Sequence, residues 1–206
     1  MNPNPKKTTY TPAAVSANGI AAALTGAGPF TTLSAPGPAD SLEHQVSLQS
    51  AANLSAINVT ITGTDANDNV ISETRAGPNA NTVLTTKYFK TVTAPITVDA
   101  TLGVNTMAVG WGAPARTRWE NIDYRQNGFA LSVAVAISAG VANYDMQHTY
   151  DVPLTDSNAA IPYTALAAQT TNRDVQYVAP IGSVRVLLNT NTGATVIHYV
   201  FQGERS

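Results

Sequence analysis

The sequence predicts an all-β protein: two tandem β-sandwich or jelly-roll-like domains preceded by an extended N-terminal arm. Three observations carry this reading. Apolar residues alternate with a period of two over much of the chain beyond His44. Turn-forming Gly, Pro, Asn and Asp clusters break the alternation roughly every 8 to 12 residues. No stretch sustains the apolar stripe of a three-turn helix, and no repeat of roughly 20 to 50 residues recurs, so a doubly wound α/β fold and a solenoid are excluded.

Residues 1–40 carry Pro3, Pro5, Pro12, Pro29, Pro36 and Pro38 among Ala, Gly and Thr, with Lys6-Lys7 as their charge cluster. Such a segment buries too little surface to offset its ordering entropy, which predicts an arm that is mobile alone or ordered against a neighbouring chain. The first sandwich is expected over 41–113. His44–Gln49 alternates, and Ile57–Thr62 places Ile57, Val59 and Ile61 on one face against Asn58, Thr60 and Thr62 on the other. Residues 63–69, rich in Asp, Asn and Gly, then predict a hairpin turn into Val70–Thr74. Thr82–Thr93, Ile96–Val98 and Thr106–Val109 supply the remaining strands.

Trp111-Gly112-Ala113-Pro114 predicts the domain boundary, with the second sandwich over 114–206. Phe129–Ser138 sets large residues at odd positions and only Ala or Ser at even ones. Such a small-residue face suits close approach of another layer or subunit, and equally a merely uncharged exposed surface. Asn143–Asp151 alternates Tyr144, Met146, His148 and Tyr150 against polar residues. Val175–Val178, Ser183–Leu188 and Ala194–Phe201 complete the set, with Asn189–Gly193 read as a turn between the last two.

Composition excludes several functions. Of 206 residues 12% are charged, and the formal net charge is -2, so the Lys/Arg excess that phosphate neutralisation requires is missing and no nucleic-acid partner is expected. The absence of cysteine removes a disulfide framework, a thiolate nucleophile and any Cys-ligated metal. No signal peptide is expected from Met1–Thr11, and the longest weakly polar run, Phe129–Ala142, is shorter than the roughly 20 residues of a membrane helix, so no membrane partner is expected either.

Candidate chemistry is sparse. His44, His148 and His198 lie far apart within strand patterns, and neither HExxH nor GxSxG occurs. Asp65, Asn67 and Asn69 have the spacing of a calcium loop, but Val70 stands where Gly is needed and Ala76 where a bidentate Glu is needed, so a polar turn is the expected role. Glu120, Asp145, Asp151 and Asp156 are the acids available for paired-carboxylate chemistry. Neither cofactor, metal nor enzymatic activity is expected. Trp111, Trp119, Tyr124, Tyr144 and Tyr150 suit either a sugar-stacking platform or packing. Arg116, Arg118, Trp119, Tyr124 and Arg125 concentrate residue types enriched at interface hot spots and, with Lys6 and Lys7 of the arm, form the candidate interface. A solvated linker accounts equally well for residues 116–125.

Residues 59–74, containing TGTDANDN and ISET, followed by GPN at 77–79 and TKYFKTVT at 86–93, resemble small structural proteins of tailed bacteriophages. The likeness covers about residues 44–110 well and the second half more loosely; Asp68 departs from it, standing where that family has Gly. The resemblance implies a non-enzymatic virion protein, in the first instance a capsid decoration or cement protein. It implies a trimer assembled in the bacterial host cytoplasm, bound to the major capsid protein on the capsid exterior, with the arm laid across a neighbour. A tail, neck or baseplate component is the alternative, and a carbohydrate-binding host-attachment module a further one.

Overall fold

The computed structural model describes residues 6–123, 125, 129–152 and 156–204, and among them every regular element is a strand. No helix of these residues is long and apolar enough to cross a membrane. The chain divides into two units. One is continuous, Val15–Ala113; the other joins the residues up to Ala14 with those from Pro114 onward.

The Val15–Ala113 unit contains β2 (Ser16–Leu24), β3 (Glu43–Gln49), β4 (Asn58–Thr64), β5 (Val70–Ala76), β6 (Thr82–Phe89), β7 (Thr91–Val98) and most of β8 (Met107–Arg116). β2, β8, β3 and β6 are hydrogen-bonded in that order, and β5, β4 and β7 form a separate sheet. Period-two patterning dictates what these sheets bury. Val59 and Ile61 of β4, Val46 and Leu48 of β3, Ile96 of β7 and Val109 of β8 all belong to one apolar core and are at most 2% exposed. The expected β4–β5 hairpin forms, with Thr64 opposite Val70. Its turn places Asp68 at a φ of 63°, a left-handed conformation that glycine takes without strain and that Asp tolerates.

The second unit is built on two long antiparallel strands, β10 (Phe129–Thr149) and β13 (Ser183–Glu204), paired almost end to end. Register shifts between Ile137 and Tyr144 break the ladder midway. There Gly140 has φ of 65°, and a Cβ on it would stand 2.3 Å from the Gly193 carbonyl oxygen, so only glycine fits. The buried set switches across the break, from Leu131, Val133 and Val135 to Ala142, Tyr144 and Met146. One half of the pair is flanked by β12 (Arg173–Tyr177) and β1 (Lys6–Tyr10). The other half is flanked by β11 (Tyr163–Gln169), β9 (Glu120–Asn121) and the end of β8. The halves turn toward one another, since His148 in one packs its ring 5.3 Å from that of Tyr177 beside the other.

Three expectations are corrected. Residues 1–40 are not a free arm where they are described: β1 pairs along β13 and β2 along β8. Phe30 exchanges backbone hydrogen bonds with Ile96, and Pro36 accepts one from Val92. A proline-rich segment lacks donors, but its carbonyls and remaining amides suffice to cap a sheet edge, where one-sided pairing is all that is required. Consequently the second unit includes the start of the chain and is not simply 114–206. Asn189–Gly193 is not a turn either; it lies inside β13, because a bulge opposite Gly140 absorbs the polar residues without reversing the chain. The Gly112–Pro114 stretch likewise divides the units without ending β8.

Candidate functional site

Alternation in β10 sends Tyr144, Met146 and His148 to one side, and Tyr150 follows just past the strand end. β11 begins opposite, its Tyr163 in register with His148. The two rings stack with centroids 5.6 Å apart and planes 20° apart, while Tyr150 meets both edge-on, at 5.7 Å from His148 and 5.4 Å from Tyr163. Tyr177 of β12 closes the inner side, its hydroxyl 3.4 Å from His148 Nδ1. Tyr150 is 65% exposed, Tyr163 48% and neighbouring Ile161 65%, and the Ile161 amide donates to the Asp151 carboxylate. Burial lowers the His148 pKa below the ordinary imidazole value. Burial, then the neighbouring Tyr150, pushes Tyr177 up to about 12. His148 and Tyr177 are therefore uncharged at neutral pH, and the four rings pack against one another while Tyr150 and Tyr163 stay partly open to solvent.

The candidate interface residues of the sequence do not form one surface. Trp119 is 4% exposed: its indole N–H donates to the Ser157 carbonyl, and the Arg185 guanidinium lies 4.0 Å from its ring centroid. Arg116, buried too, donates to Ser157 Oγ and Asn158 Oδ1. Arg185 is held in turn by Gln147 Oε1 at 2.8 Å. These groups stabilise the interior of the second unit. Lys6 and Arg118 both engage the Glu120 carboxylate, which is 8% exposed, and so tie β1 to β9. Lys7 is exposed, its ammonium 5.9 Å from the Tyr199 ring centroid. Arg125 is exposed, and Tyr124 lies outside the described residues.

The remaining candidates are separated as well. His44 is buried with Asp40 at 2.8 Å. His198 is buried beneath β1, and burial pushes its pKa down to about 4. The Asp65 carboxylate accepts the amides of Asn67 and Asn69, both at 2.9 Å, which makes it the organiser of the hairpin turn. Asp145 accepts from the Ala168 amide and the Asn189 side chain, and Asp156 from the Asn158 amide. Among the described residues no group of three or more His, Asp or Glu is placed to hold a metal ion.

The aromatic cluster was half visible in sequence. His148 and Tyr150 share a phase in the alternating 143–151 run, but Tyr163 belongs to a strand whose Ala-rich, uncharged sequence carries no clean alternation. Trp119 gave the opposite problem, since an indole beside arginines suits an interface and a buried cation–π stack alike. No protein-family model matches the chain, and no curated protein and no solved structure matches it.

Proposed function

We propose that this chain is a structural protein of a tailed-bacteriophage particle, decorating the capsid exterior and bridging major capsid subunits as a trimer, without catalytic activity. The observation that carries the reading is the partly exposed aromatic cluster of Tyr150, Tyr163, His148 and Tyr177. Rings already fixed by one another lose little further entropy on contact and serve as interface anchors. The likeness of residues 59–93 to phage structural proteins suggests the kind of particle. The engagement of Asp65, Glu120, Asp145 and Asp156 by backbone amides and basic side chains within the fold supports a role without acid–base chemistry. In a shell each contact is repeated by symmetry, so a small patch per copy suffices.

The test is quantitative mass spectrometry of DNA-filled heads purified without tails, with the parent chain and with Tyr150→Ala/Tyr163→Ala. Hundreds of parental copies per head, depleted at least about tenfold by the double substitution, are expected. Copies that leave with the tail would assign the chain to the tail, and absence from particles would remove the proposal. A sugar-binding reading draws on the same rings, because a half-exposed tyrosine stacked flat on a second ring is a platform for a pyranose face. Glycan-array binding lost in Tyr163→Ala would establish it.

A further inference from the structure

Strands β12, β10, β13 and β1 lie side by side, and their registers line residues up in rows across the sheet. On the face turned away from the core, one row runs Asp174, Ala134, Tyr199, Lys7. The adjacent row runs Gln176, Ser132, Phe201. Asp174 and Lys7 are both exposed and are the charged groups of this face among the described residues of the four strands. They stand at opposite edges, three strand spacings or about 14 Å apart. Between them β10 contributes only Ala130, Ser132, Ala134 and Ala136. Phe201, 40% exposed, rises beside a shallow cavity of about 200 Å³ bounded by Ala130, Ser132, Gln176 and Val178.

We propose that this face binds the same face of a second copy about a twofold axis running along the strands between β10 and β13. Such an axis keeps each row level and exchanges its ends. Lys7 of each copy then faces Asp174 of the other, and Phe201 of each faces Ser132 and the cavity of the other. A twofold axis running across the strands would instead set Asp174 on Asp174 and Lys7 on Lys7, so the charge order selects one arrangement of two. Packed sheets lie about 10 Å apart, a gap that an extended lysine and an aspartate span together. The alanine and serine floor is what admits a phenylalanine from the opposing sheet without displacing backbone. The contact is isologous and differs from the threefold assembly proposed above; the two combine in a closed assembly of higher symmetry, the smallest a dihedral hexamer. It does not rest on the capsid reading, so it is tested on the isolated full chain.

Sedimentation velocity from about 10 µM to 1 mM is expected to show a monomer–dimer equilibrium. Lys7→Glu and Asp174→Lys each place like charges at both contacts, and each is expected to weaken association by at least about tenfold. Mixed one to one, the two variants are expected to recover the parental affinity, since every charge then meets its opposite. Phe201→Ala weakens association with the charges intact. All three side chains are exposed, and an unchanged thermal melt checks that each variant is folded. A monomer throughout, a trimer, single variants that associate like the parent, or a mixture that fails to recover would each overturn the twofold contact.

Discussion

The Val15–Ala113 unit covers sheet edges with its own chain and exposes only scattered valines, whereas the second unit sets aromatic rings in water. In the first, Glu73 of β5 accepts the amides of Thr86 and Lys87 at 2.8 and 2.7 Å, blocking the edge of β6. On the far side the 30–36 segment links β2 to β7 through Ser34 with Ile20 and Phe30 with Ile96. Its core holds Phe89 as a buried ring with Phe30 and Trp111 packed against it, and its exposed large apolar residues are Val15, Val70 and Val104. Both units bury polar groups, Glu43, His44 and Asp65 in the first and Arg116, Glu120, Gln147, Arg185 and His198 in the second, but the second exposes Tyr150, Ile161, Tyr163, Val178 and Phe201. Isolated exposed valines are ordinary for a folded surface, whereas clustered rings beside a small-residue face form the kind of patch that favours contact with a partner.

The contrast is tested most severely by Trp119→Ala. It removes the indole bond to Ser157 and strips the cover from the buried Arg185, so a loss of about 3–5 kcal/mol is expected in urea unfolding. Hydrogen exchange should localise that loss to the second unit. An equal loss of protection in the Val15–Ala113 unit would erase the distinction between the two.

His198 gives the next largest effect. Its folded pKa, about 4, lies below the unfolded value of 6.5. Between these values the unfolded chain takes up a proton that the folded chain refuses, so stability falls as pH drops from 6.5 to 4 and the loss is complete below that. The span corresponds to about 3 kcal/mol as an order of magnitude. His198→Gln is expected to flatten this part of the profile relative to the parent, read from urea midpoints at successive pH values. A parental slope retained in the variant would place the titration elsewhere.

The smallest effect tests the sealed edge. Glu73→Ala frees the amides of Thr86 and Lys87 at a cost of about 1 kcal/mol, but it should convert the β6 edge into a pairing site. Concentration-dependent light scattering that rises above the parental level is the expected sign. A variant that stays as dispersed as the parent would show that the carboxylate is not what guards that edge.

The sequence by itself determined the strands whose two faces differ in polarity. In β4 the period-two contrast of Val59 and Ile61 with Thr60 and Thr62 leaves one arrangement that buries the apolar set, and in β3 Val46 and Leu48 alternate with Gln45, Ser47 and Gln49 in the same way. Local rules also placed the 65–69 turn, because an Asp that caps its own loop needs no distant partner. Tertiary structure alone decided whatever depends on remote partners. β1 becomes a strand because the edge of β13, nearly two hundred residues away, accepts its backbone, and β11 because β10 does. Gly193 reads as the end of a turn, yet its close approach to Gly140 bends a continuous pair of strands. Trp119 was driven inside by Arg185, and Tyr163 was brought beside His148 by a pairing to which neither residue's neighbours in sequence contribute. Local alternation fixes which face of a strand is apolar; it carries no information on which strand, which half of a bent sheet, or which copy will cover that face.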